Sequence, residues 1–411
     1  MTKHVAPKLR FPEFQARWNA SELGALGSFK NGHNADKEDY GSGSPLVNLN
    51  DVYGKPRLGK KITGRVLTTE KQLKEYSIEK GDVLFARSSV KRTGVGDASV
   101  AMCNYDNAVF SGFIIRFRPN RGVIATEFQP AFFNRSVIKK EILSRATTSA
   151  NTNINQVSLS RIPVTLPELP EQEKIASFLS AVDKKLEAME TQLKGWHEFK
   201  CGMMQSLFSQ SIRFKADDGN DFPSWQNTPL KNLAKRSKEK NTEFKISKVL
   251  SNSATMGVVA QTDYFERKIT TAENLDGYYI VKVGDFIYNP RISSSAPVGP
   301  ISRNNLEDGV MSPLYTVFRP LPKSAPFLEA YFKSRHWNEY IFRVSNVGAR
   351  HDRMNISTSD FMDMPIPLPS YSEQQKIVSA LSAVDAKIDA LTDRLNSTRE
   401  FKRGLLQKMF V

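Results

Sequence analysis

The sequence predicts an α+β fold in which two pseudo-symmetric globular modules are separated by an antiparallel two-helix coiled coil. Three observations predict it. Residues 162–208 align without a gap to 364–410, with 22 of 47 positions identical, where chance gives about three. Each copy carries an apolar seam of coiled-coil period. The text before each copy mixes short apolar runs (DVLFA, GFIIRF; DFIYN, LYTVF) with Gly, Ser and Asn clusters, which reads as strands and turns. A chain of 411 residues also exceeds one ordinary core.

In chain order the expected parts are a module at 1–161, a helix at 162–210, a second module at 211–363 and a second helix at 364–411. The modules share anchors and differ between them. FPEF…WNASELGAL (11–26) resembles FPSWQNTPLKNL (222–233), Gly81-Asp82 resembles Gly284-Asp285, and Phe117-Arg118-Pro119 matches Phe318-Arg319-Pro320. Between them GVGDASVAMCNYDNAVF has little in common with PVGPISRNNLEDGVM. A common scaffold with different loops suggests one kind of job done on two targets.

In the first helix Ile175, Leu179, Val182, Leu186, Met189, Leu193 and Trp196 step by four and three. In the second, Ile377, Leu381, Val384, Ile388, Leu391 and Leu395 do the same. The 3.5-residue mean is a coiled-coil seam. Ser372 with Gln375 is expected to cap the second helix, and Pro170 to open the first. The second module leaves the end of helix one and returns to the start of helix two, so paired helices must run antiparallel, with one module at each end. Such approximate two-fold symmetry suits two half-sites on duplex DNA, with the helices as a ruler.

Lys and Arg outnumber Asp and Glu by 58 to 43, a net charge of +15. That favours a polyanionic partner, nucleic acid first, over a merely solvated basic surface. Hydrophobic content of 40% excludes wholesale disorder. Cys103 and Cys201 form no CxxC, and the five histidines have no ligand spacing, so neither disulfides nor metal are expected. Without a signal-like or membrane-length apolar run, a soluble cytoplasmic protein is expected. Catalytic signatures are scarce. GKPRLGKK (54–61) ends in Lys61 where a phosphate loop needs Ser or Thr, and no GxGxxG opens a helix. Asn289-Pro290-Arg291 begins like the Asn/Asp-Pro-Pro-aromatic motif of amine methylation and then departs.

Two polar stretches per module suit DNA. FARSSVKRTG offers Arg87, Ser88, Ser89, Lys91 and Arg92, and YNPRISSS offers Arg291, Ser293 and Ser294. Later come TTSANTNIN, with Asn151 and Asn153, and VGARHDRMNIS, with Arg350, His351, Arg353 and Asn355. Arg and Asn pair with guanine and adenine edges, while Lys, Ser and backbone NH groups hold phosphates. The plainer alternative is solvated turns with capping Asn and Ser. Arg87 and Arg291, each following a matched strand, are expected at equivalent places. The apolar helix ends (Phe199, Met203, Leu207, Phe208; Phe401, Leu405, Met409, Phe410) exceed what the seam needs. They are assigned to a partner surface, with packing onto the modules as the alternative.

The duplicated P-x-P/LP…EQ-x-KI…L…VD segment, placed after two divergent modules of about 150 residues, resembles the specificity subunit of type I restriction–modification systems over the whole chain. The usual leucine-aspartate pair stands here as Val182-Asp183 and Val384-Asp385. The resemblance implies that the modules are target recognition domains, each reading half of a bipartite double-stranded DNA site. It further implies that the helices dock two methyltransferase subunits, and that restriction/motor subunits join them. S-adenosylmethionine, ATP and magnesium would sit on those partners, with no cofactor, metal or catalytic residue in this chain and no membrane association. A stand-alone DNA-binding or architectural protein is the rival reading, and a single-chain nuclease a third.

Overall fold

The computed structural model describes residues 6–148, 151–242, 245–261, 275–347 and 352–411. The chain forms two compact units, Met1–Glu190 with Asp393–Val411, and Thr191–Thr392.

The first unit is built on a four-stranded antiparallel sheet in the order Gly27–Asn31, Ile114–Pro119, Val83–Ala86, Ala98–Val100. The second repeats that order with Ala234–Arg236, Thr316–Pro320, Phe286–Tyr288 and Ile301–Arg303. The central strands Val83–Ala86 and Phe286–Tyr288 are apolar throughout because both sheet faces are covered. Val83 and Phe85 enter one core while Leu84 and Ala86 enter another. Phe286 and Tyr288 likewise oppose Ile287.

The shared sequence anchors are ion pairs that hold each sheet. Arg118 donates Nε and Nη2 to Asp82 at 2.7 Å each. Arg319 grips Asp285 the same way at 2.7 and 2.9 Å. Both aspartates are 1% exposed, so the forked, charge-assisted geometry replaces their lost water. That hydrogen bonding raises the Arg118 guanidinium above its ordinary value. Gly81 and Gly284, each at φ +93°, make the preceding turn in a conformation that side chains resist.

The repeated Glu-Gln pair seats each long helix. Glu171 accepts Nε and Nη2 of Arg10 at 2.7 Å each and Nε1 of Trp18 at 3.2 Å. Glu373 accepts Arg213 at 3.0 and 2.8 Å and Trp225 at 3.0 Å. Gln172 donates to Pro167 O, and Gln374 to Pro369 O, both at 2.9 Å. Of the four residues holding the glutamates, Trp18 and Trp225 belong to strings that the two halves share, whereas Arg10 and Arg213 lie outside them. Both stand in an Arg-Phe dipeptide (Arg10-Phe11, Arg213-Phe214), which was the available signal. A four-residue insertion before Trp225 pushed the second dipeptide out of register.

The helices run Leu169–Phe208 and Tyr371–Lys408, 40 and 38 residues, each about 60 Å long at 1.5 Å per residue. Within the first unit Asp183 pairs with Lys402 at 2.5 Å and Glu190 with Arg399 at 2.6 Å. One number rises as the other falls, so the segments are antiparallel. Within the second unit Lys200 pairs with Asp385, the repeat counterpart of Asp183–Lys402. Such exposed pairs contribute under about 1 kcal/mol and mark register more than stability. Ile175, Leu179, Met189, Ile377, Leu381, Val384, Ile388 and Leu395 are buried, and Val182, Leu186, Leu193 and Leu391 half-buried.

Three details differ from the expectations. The second helix is capped at Ser370, whose Oγ accepts the Glu373 NH at 3.4 Å, because the helix begins at Tyr371, one residue before Ser372. Residues Pro163–Leu166 and Pro365–Leu368, which open each repeat copy, are strands paired with Asn19–Glu22 and Gln226–Pro229. They belong to the modules. The third correction concerns the helix ends. Leu405, Met409 and Phe410 lie in the core of the first unit, and Leu207 and Phe208 in that of the second. Packing onto the modules, the alternative reading, accounts for these five. Phe410 meets Trp18 and Phe128 edge-on or tilted, and lies under the Arg135 guanidinium at 4.9 Å. Met203 packs against the second core, while Phe199 and Phe401, equivalent in the repeat, remain 54% and 56% exposed.

Candidate nucleic-acid interface

The two polar stretches of each module come together as a small β-ribbon. In the first unit Ser88-Ser89 pairs with Thr152-Asn153, which pairs in turn with Thr147-Thr148. In the second, Arg291 bridges Arg353 across an antiparallel pair. Ile292 N donates to Asp352 O and Met354 N to Pro290 O, at 2.9 Å each, and Asn346-Val347 pairs with Met354-Asn355. Segments more than fifty residues apart are thus brought side by side in each unit. Lys91, Arg92, Asn151, Arg291, Ser293, Ser294 and Asn355 are exposed there, while Arg87, Ser88, Ser89, Asn153 and Arg353 are half-buried. Arg350 and His351 lie outside the described residues.

Arg87 and Arg291 are not equivalent. Counting on from Gly81-Asp82 and Gly284-Asp285 places Arg87 on Pro290; the Arg87 carbonyl accepts the NH of Ile154 at 3.0 Å and the Pro290 carbonyl that of Met354 at 2.9 Å. Arg291 therefore corresponds to Ser88, one residue on, and on a strand one residue reverses the face. The Arg87 side chain bends back to Gly112 O at 3.3 Å, whereas Arg291 extends into solvent. The ends of the second stretches are structural. Asn155 Oδ1 caps the helix Gln156–Ser160 through Ser158 N at 2.8 Å, and Ser357 caps Thr358–Met362 through Asp360 N at 3.1 Å. Asn289 is also occupied, donating to Asn252 O at 2.9 Å.

The divergent texts hide a shared Val-Gly. Val95 and Val298 are buried, and Gly96 (φ +75°) and Gly299 (φ +82°) turn the chain back beside the ribbon. A Cβ on Gly299 would lie 2.0 Å from Asn289 O. Gly299→Ala is therefore expected to displace the Tyr288–Ser295 loop and destabilise the second unit by at least about 1–2 kcal/mol, the cost of a left-handed residue alone. Chemical denaturation checks it, and an unchanged midpoint would contradict it.

GKPRLGKK is not a phosphate loop. Leu58 N donates to Val100 O at 2.9 Å, and the next regular element is the strand Gly64–Val66, where a phosphate loop requires a helix. Among the described residues no cluster of His, Cys, Asp and Glu is placed to hold a metal, and no helix is long and apolar enough to cross a membrane.

A family model, the type I restriction modification DNA specificity domain, matches residues 16–195 and again 223–398. The EcoKI specificity subunit of Escherichia coli strain K12 is 22% identical, over 91% of this chain and 81% of its own. The S subunit of a type I restriction-modification system from M. genitalium has a similar fold over 99% of both chains, with 16% identity and a TM-score of 0.51. A chain from a structure describing complex assembly and conformational transition of the type I R-M system covers 96% of this chain and 97% of itself, with 16% identity and a TM-score of 0.59. With the domain matched once in each half, on frames held by the same ion pairs, the chain belongs to the type I restriction modification DNA specificity domain family.

Proposed function

We propose that this chain is the DNA-reading specificity subunit of a type I restriction–modification assembly. Each module reads one half of a bipartite duplex site, and the helices dock methyltransferase and restriction/motor subunits. One observation carries the reading: the same ribbon recurs on the same frame in both units with different side chains, as expected of two readers with different targets. The chain has no chemistry of its own in this account. Two methyltransferase subunits bring S-adenosylmethionine and adenine methylation, and the motor subunits bring ATP and magnesium. Phe199 and Phe401, exposed at equivalent repeat positions, are the remaining candidates for contact with two copies of one partner.

The test is to express the chain with a cognate methyltransferase subunit and map methylated adenines in the host DNA. A split site with two defined halves is expected. Selective, tight binding by the chain alone, with no methylation on assembly, would favour the stand-alone DNA-binding protein. Magnesium-dependent cutting by the isolated chain would favour a nuclease.

Within a defined site, Arg291→Ala is expected to weaken binding by about 1–3 kcal/mol and to relax specificity in one half. Lys91→Ala, at the kind of side chain that holds a phosphate, should weaken all sequences alike and lower the salt slope by about one. Titrations at several salt concentrations separate the two. Equal, sequence-independent losses from both would remove Arg291 from base reading.

A further inference from the structure

Each unit also holds one large apolar side chain in water at the same turn. Phe113 is 59% exposed and Leu314 57%. Registering Phe117-Arg118-Pro119 on Phe318-Arg319-Pro320 places Phe113 on Leu314. In both units this turn leads into the second strand of the main sheet, Ile114–Pro119 or Thr316–Pro320. Neither side chain joins a core cluster. One exposed apolar residue is ordinary on any surface. Two at one position, in modules whose loops otherwise differ, are not explained by packing.

Their neighbours suggest a use. Phe113 O accepts the Arg87 NH at 2.8 Å, so the turn is tied to the start of the ribbon. Phe113 also walls an open cavity of about 530 Å³, together with Leu49, Tyr53, Ser88, Lys91 and Asn151. Tyr53 Oη donates to Ser88 O at 2.6 Å and fixes that wall. In the second unit Tyr288, at the end of its strand, pairs with Thr316, two residues beyond Leu314. In the first module an apolar side chain thus stands beside polar ribbon residues; in the second, one stands at the matching turn, two residues before the partner of the strand end from which the ribbon continues. A two-stranded ribbon fits the major groove, where the apolar group displayed by the bases is the 5-methyl of thymine.

We propose that Phe113 and Leu314 are specificity residues, each laying its side chain against a thymine 5-methyl in the half-site read by its own module. The proposal rests on the DNA-reading function above and adds apolar recognition to the polar contacts. Removing the methyl forfeits about 0.8 kcal/mol of apolar burial, about fourfold in affinity.

The experiment uses the full chain assembled with its methyltransferase partner, on duplexes bearing the mapped site. Each thymine is replaced in turn by deoxyuridine, which lacks only the methyl. One position in each half-site is expected to lose about fourfold in affinity. Phe113→Ala should abolish that sensitivity in one half-site and Leu314→Ala in the other, while Phe113→Leu keeps it in part. Unchanged non-specific binding and melting temperature show that the variants are folded. Deoxyuridine sensitivity surviving in both alanine variants overturns the proposal. So does a wild-type complex indifferent to every thymine methyl, including one whose alanine variants bind weakly because the side chains wedge between base steps instead. A complex with no preference for any site overturns the DNA-reading function together with this inference, and so differs from a selective complex that ignores the methyl.

Discussion

Replacing Arg213 by alanine is expected to destabilise the second unit by about 3–5 kcal/mol, the usual loss when one partner of a buried ion pair is removed. Glu373 is fully buried and receives two hydrogen bonds from Arg213 and one from Trp225. Without the guanidinium, its charge keeps a single neutral donor and no solvent. The reverse change is milder. Arg213 is 26% exposed and also donates to Phe222 O and Pro223 O at 3.2 and 2.8 Å. Glu373→Gln should therefore cost only about 1–3 kcal/mol, within the range for an impaired charged hydrogen bond. Urea unfolding followed by tryptophan fluorescence distinguishes them. Equal losses, or a loss under 1 kcal/mol for Arg213→Ala, would show that the pair does not seat the helix. The same asymmetry is expected of Arg10 and Glu171 in the first unit.

Removing one heptad from each helix, 189–195 together with 391–397, is expected to abolish methylation of the original site or move it to a site with a shorter spacer. These segments are repeat equivalents. The deletion keeps the seam period while shortening each helix by about 10 Å, close to three base pairs of duplex. The proposed function makes helix length a determinant of half-site spacing, because the chain passes between the units only through these helices. Mapping methylated adenines for the deleted variant decides it. Normal methylation at the original spacing would refute a ruler.

Much of this was legible in the sequence because it is periodic or duplicated. The heptad seam, the gapless repeat and the Gly-Asp and Phe-Arg-Pro anchors are local strings that survive comparison of one half with the other. The pairing of those anchors was not legible, since Asp82 and Arg118 are joined only by strand register. The same holds for Arg213, displaced by an insertion, and for the Val-Gly turn, two residues in dissimilar text. The correction at Arg291 has a related cause. A reading by nearest charged residue ignores that one step along a strand exchanges its faces. The exposure of Phe113 and Leu314 is not legible either, because an apolar residue in an apolar run carries no mark of exposure.

By itself, then, the sequence determined that this chain is two copies of one plan, with paired helices and two different sets of polar stretches, because helix period and repetition are properties of neighbouring residues. Only the tertiary structure decided which apolar helix ends are core and which stay in water, and which polar residues hold the frame and which remain available to DNA. Burial and hydrogen-bond partnership are settled by residues from a few tens to more than a hundred positions away. Glu171 on Arg10 and Phe410 against Trp18 become contacts only when the module closes on its helices.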